Sequence, residues 1–140
     1  MSIRRRAMFA FGAATAAVAA LSFAAQPAFA SGENCNDNGS WDTCVTVSGS
    51  GNYIDYVYGE SVSDSAFNGD YDLPFHVQLI NPNGVTLCNS PTRTDTGTSL
   101  ETCFWQPEAN ELTGNYCLIT WVYNGEYHNV GEECLNVYVD

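Results

Sequence analysis

Six cysteines, two histidines, sixteen carboxylates and one arginine beyond residue 30 are the side chains through which this chain could do chemistry. The cysteines stand at 35, 44, 88, 103, 117 and 134, with no C-x-x-C pair among them. An even count in a small domain reads as a disulfide framework rather than a zinc site, and two histidines, His76 and His128, are too few to change that. Sequential pairing (35–44, 88–103, 117–134) is the expected connectivity, because each pair brackets a turn-rich segment. Closing the 88–103 loop would contribute on the order of 3 kcal/mol through loop entropy.

Oxidised cysteines cannot serve as nucleophiles, and neither histidine lies in a nucleophile motif. His76 falls at an outward strand position and His128 in the 124–133 loop, both read as surface residues. A carboxylate pair could cleave a glycosidic bond, but with so many acids some pair is always close, so proximity carries no argument. No phosphate-binding glycine loop or dinucleotide fingerprint occurs. The sequence therefore reads as non-enzymatic, with no cofactor. Calcium would find oxygen ligands in Asn36-Asp37-Asn38-Gly39 with Asp42, or in Asp70 and Asp72. Neither group fits the twelve-residue EF-hand loop, and solvated turns account for both, so no metal is expected.

Arg93 has two readings. It sits in Asn89–Glu101, between Cys88 and Cys103, where an extended bracketed loop could present it to a trypsin-like protease. Alternatively it pairs with Asp95 or Glu101 of its own loop, a local contact.

Residues 1–30 read as a secretory signal peptide. "MSIRRRAMF" is a positive n-region, "AFGAATAAVAALSFAA" an apolar h-region, and Ala28-Phe29-Ala30 a cleavage site. Arg4, Arg5 and Arg6 with Phe9 leave ordinary and twin-arginine export both open. The remaining chain, 31–140, is expected to be secreted and to form a single domain with one core. It holds all 16 acidic residues against Arg93 alone, a net charge of −15. Such a surface repels nucleic acid and anionic membranes. Solubility outside a cell accounts for it most simply, with a basic partner protein or bound calcium as the alternatives. The expected partner is another secreted protein.

The elements that must position these residues are strands. "CVTVS" at 44–48, "NYIDYVYG" at 52–59, "FHVQLI" at 75–80, "VTLC" at 85–88, "TCFW" at 102–105, "NYCLITWVY" at 115–123 and "CLNVYV" at 134–139 carry β-type composition or alternation. "NPNG" at 81–84 and "NG" at 124–125 are hairpin turns. Residues 31–43 read as a polar extended or looped segment tied down by Cys35–Cys44, and 60–73 as loop. No amphipathic helix is found. The expected fold is all-β, a small disulfide-stabilised antiparallel β-sandwich of immunoglobulin-like type. "LTGNYC" at 112–117 resembles the tyrosine-corner region of immunoglobulin-like domains. There the Tyr precedes the Cys by two residues, whereas Tyr116 is adjacent to Cys117, so the two side chains take opposite faces.

If Cys117 and Cys134 join neighbouring strands, Ile119, Trp121 and Tyr123 share their face, with Asn136 and Tyr138 beside them. Tyr116, Leu118, Thr120 and Val122 with Leu135, Val137 and Val139 then form the core face. Ile119, Trp121, Tyr123 and Tyr138 become an outward patch of the kind that anchors protein interfaces. If the cysteines instead bridge two sheets, Trp121 is a core tryptophan packed on a disulfide. The same aromatics could stack on carbohydrate, a third reading.

The signal peptide, the size of the exported part, the paired cysteines and the all-β pattern together resemble the small adaptor subunit of secreted bacterial umbrella toxin particles. That resemblance implies a non-enzymatic bridge between stalk repeats and lectin subunits, with Ser31–Thr43 as a docking strand.

Overall fold

The computed structural model describes residues 31–64 and 72–138. Residues 1–30, read above as a signal peptide, lie outside the described residues, as do Asp70 and Val139. Ten strands run β1 (Gly32–Asp37), β2 (Trp41–Ser50), β3 (Tyr53–Ser63), β4 (Pro74–Ile80), β5 (Thr86–Asn89), β6 (Arg93–Thr94), β7 (Leu100–Trp105), β8 (Ala109–Asn110), β9 (Gly114–Tyr123) and β10 (Tyr127–Val137). They form two antiparallel sheets, β1-β2-β3-β7 with β8 beside β3, and β10-β9-β4-β5 with β6 beside β4. The three disulfides join Cys35–Cys44, Cys88–Cys103 and Cys117–Cys134.

Turn chemistry sets the hairpins. At Asn81-Pro82-Asn83-Gly84 the Asn81 side chain accepts from the N–H of Asn83 and Val85, and Gly84 supplies a φ of 74°. Gly125 does the same at φ 82° between β9 and β10.

Alternation buries one face of each sheet. Val45, Val47, Ile54 and Val57 of the first meet Val77, Leu79, Tyr116, Leu118 and Val137 of the second in one apolar cluster. A smaller cluster of Trp41, Phe75 and Val122 fills the other end, with the Trp41 and Phe75 rings 4.9 Å apart. Between the two lies a hydroxyl layer. Thr43, Ser61 and Thr120, all fully buried, lie within 2.7–3.2 Å of one another. Each satisfies its neighbours, which removes the penalty for burying it. Gly131 completes the layer, since a Cβ there would stand 2.6 Å from Thr43 Oγ1.

Several boundaries move from the sequence reading. Residues 31–43 take the extended of their two readings: they contain β1, a turn, and the start of β2, and Trp41 is core. β3 runs on to Ser63, through part of the expected 60–73 loop. β10 begins at Tyr127, so His128 lies in a strand rather than in a loop.

Candidate functional site

Cys117 and Cys134 are paired partners on neighbouring strands, so their disulfide lies within one sheet and on its outer face. Trp121 is accordingly outward-facing and half-buried, and not a core tryptophan. The other member of the LTGNYC motif, Tyr116, turns inward, is fully buried, and donates its hydroxyl to the Leu112 carbonyl at 2.9 Å. Burial, with Glu111 nearby, pushes its pKa up to about 12.

The expected patch does not assemble as a unit. Ile119 is buried, because β9 is an inner strand and Gln78 of β4 and Glu132 of β10 flank it on the same face. Tyr138 is exposed but sits beyond Val137, which pairs with Gly114 at the opposite end of β9. At about 3.3 Å per residue that places it roughly 25 Å from Trp121. Only Trp121 and Tyr123 of the four come together.

What joins them was not among the sequence candidates. Tyr127 of β10 pairs with Tyr123, their rings 5.2 Å apart and inclined at 60°. His76 of β4 pairs with Trp121, and its ring meets the edge of Tyr127 at 5.0 Å and 82°. Gln78 accepts from the Trp121 indole N–H at 3.2 Å. His76 is therefore covered, its Nδ1 buried and without a hydrogen-bond partner, and burial lowers its pKa below the usual histidine value. The neutral imidazole is thus the favoured form. The "NG" pair marks the hairpin, but its turn closes over three residues, 124–126, and this sets Tyr127 opposite Tyr123, where a two-residue turn would have set Glu126.

Arg93 belongs to a strand, not a free loop. It pairs with Phe75 through β6, and its guanidinium forms an ion pair with Glu101, which is only 5% exposed. Asp95, fully buried, accepts instead from Ser63 and from the N–H of Gly97.

Asp37 and Asn38 spend side-chain oxygens on turn N–H groups of Gly39, Ser40 and Trp41. Glu33 and Glu132 each stand near two cysteine sulfurs, but those sulfurs are tied in disulfides and offer no thiolate. No pocket is found among the described residues, and no helix among them is long and apolar enough to cross a membrane. Comparison with known proteins finds no matching family model, curated protein or solved structure.

Proposed function

We propose that the chain is a secreted, non-catalytic protein-interaction module, an adaptor in kind, that engages its partner through the outer aromatic cluster of His76, Trp121, Tyr123 and Tyr127. The observation that carries this reading is the relief of the cluster. Its rings are tilted by 60° and 82° to one another, giving knobs and clefts instead of a plane. Side chains of a protein partner interdigitate with such a surface. A sugar ring stacks best on a flat platform, so the geometry favours protein over carbohydrate. Three disulfides are typical of extracellular proteins and support secretion. The same features keep the likeness to umbrella toxin adaptors within this reading.

An immunoglobulin-like arrangement belongs to the proposal. Its support is the order β2-β3-β7 facing β10-β9-β4, the sequence of A-B-E against G-F-C, together with the Tyr116 bond to Leu112. The inhibitor reading loses ground because the Arg93 guanidinium is held by Glu101.

The test compares the tagged protein with a Tyr123→Ser/Tyr127→Ser variant in pull-downs from the producer's culture supernatant. We expect a co-secreted chain recovered in fixed ratio by the first and lost from the second. Equal recovery by both would overturn the site. A lone trypsin-like protease, lost in Arg93→Ala, would overturn the function.

A further inference from the structure

The two sheets present different outer faces, and the one opposite the aromatic cluster is unassigned by the function proposed above. Register lays it out in rows across β1, β2, β3 and β7. The first row reads Asp37, Asp42, Val62, Leu100; the second Cys35, Cys44, Glu60, Thr102; the third Glu33, Thr46, Tyr58, Phe104; and Ser48 with Tyr56 follow. The half on β3 and β7 is apolar and open, with Val62 38%, Leu100 54% and Phe104 54% exposed. Tyr56 packs on Phe104, ring centroids 5.6 Å apart. The half on β1 and β2 carries Glu33, Asp37 and Asp42, and Glu60 stands at the junction.

Nothing on this face balances those carboxylates. Among the described residues the one arginine is tied to Glu101, and both histidines belong to the other sheet. Asp37 and Asp42 even stand directly opposite each other, an arrangement that costs stability in an antiparallel pair. Tyr58 is held in place, its hydroxyl donating to Glu60 at 2.9 Å. An anchored ring loses little freedom on binding.

We propose that this face is a second docking surface and that its occupant is a cationic protein segment whose aliphatic or aromatic anchors alternate with lysines or arginines. The anchors would cover Val62, Leu100, Tyr58 and Phe104, and the cations would meet Asp37, Asp42, Glu60 and Glu33. A second copy of the chain does not suit the face, because two strongly acidic surfaces repel. Nucleic acid and anionic lipid fail for the same reason.

The experiment titrates the isotope-labelled protein with three disulfide-cyclised hairpin peptides and follows backbone amide shifts. One alternates Lys with Val and Phe, the second replaces each Lys by Glu, and the third replaces each Val and Phe by Ser. The first peptide should move amides of β3 and β7. Its affinity should fall about tenfold in Leu100→Ser/Phe104→Ser, a loss of about 1.4 kcal/mol, and about threefold in Asp42→Asn/Glu60→Gln. Thr102→Arg, which plants a cation in the middle of the face, should repel it and guards against a folding defect in the serine variants.

The proposal is overturned if the Lys/Ser hairpin binds as well, if the shifts fall on His76 and Tyr127, or if the variants bind like the parent. Self-association that disappears in Leu100→Ser/Phe104→Ser, or shifts of the same amides by soluble oligosaccharides, would also overturn it. This outcome is independent of the pull-down above, whose variants lie on the other sheet.

Discussion

Along one side of the molecule β1 lies against β10, and along the other β7 lies against β4 and β5, with Arg93 of β6 reaching Glu101 of β7. The two seams close the same gap between sheets by different chemistry. On the first, Asn34, Asn36 and Asn38, spaced two apart on the inward face, reach to the carbonyls of Cys134, Glu132 and Val130. Asn34 also donates to Glu133. Side-chain amides here take the place that a further strand's N–H groups would fill on an edge. On the second seam a disulfide, Cys88–Cys103, and an ion pair, Arg93 on buried Glu101, join the sheets, with the Ser63 hydroxyl donating to Asp95 beside them. A ladder of separate bonds can be dismantled one rung at a time, whereas a disulfide acts through the whole unfolded chain.

The largest break expected is therefore at the second seam. Replacing Cys88 and Cys103 together with Ala should cost about 3 kcal/mol of stability, seen as a lower urea midpoint. A loss no larger than that of a single asparagine would erase the contrast. Next comes Arg93→Ala, which strands the Glu101 carboxylate in the interior at about 2 kcal/mol. Adding Glu101→Gln should recover much of that, since the residual cost is an uncompensated charge. If the double variant is no better than Arg93→Ala alone, the ion pair is not what holds this corner.

The seams also mark where the sequence stops being readable. β4, β5 and the turn between them follow alternation and an Asn-Pro-Asn-Gly turn, and both appear close to their expected bounds. At the ends of β2, β3 and β10 the strand pattern is faint in the sequence, because the inward positions are Thr43, Ser61, Ser63 and Gly131. These face the hydroxyl layer and the close approach of the sheets, so apolar alternation fades where the strands continue. β1 has even less signal: its inward residues Asn34 and Asn36 are polar because they bond across a seam. Trp121 and Tyr123 were legible as outward once Cys117 was paired with Cys134. Ile119 lies on the expected face but is buried, because period-two alternation gives a face and not whether neighbouring strands cover it. Tyr138 was misplaced because a face does not give a position along the strand.

Asn36→Ala should remove one rung for about 1 kcal/mol. Its signature is local: faster hydrogen exchange confined to β1 and the facing part of β10, with the β5–β7 seam unchanged. Asn36→Asp should be worse, because a carboxylate set against a carbonyl repels instead of donating. Acceleration spread evenly over the molecule would mean that the rungs act as one unit, and the seams would then differ in composition only.

The smallest expected effect serves as a control on the comparison, because it arises between the seams. His76 sits on β4, under the edge of Tyr127 and beside Trp121, and its pKa is lowered by burial. The unfolded chain takes up a proton near the ordinary value of about 6.5, while folded His76 resists it until lower pH. The unfolded state then binds more protons, so stability falls as the pH drops below about 6.5, until the folded imidazole is protonated too. His76→Gln should flatten this slope in urea denaturation at pH values above the carboxylate range. The same slope should appear in the Cys88/Cys103 and Asn36 variants, parallel to the parent. A slope that vanishes with either seam would show that the imidazole reports on that seam, and the two sides of the molecule would have to be treated as coupled through sheet β10-β9-β4-β5.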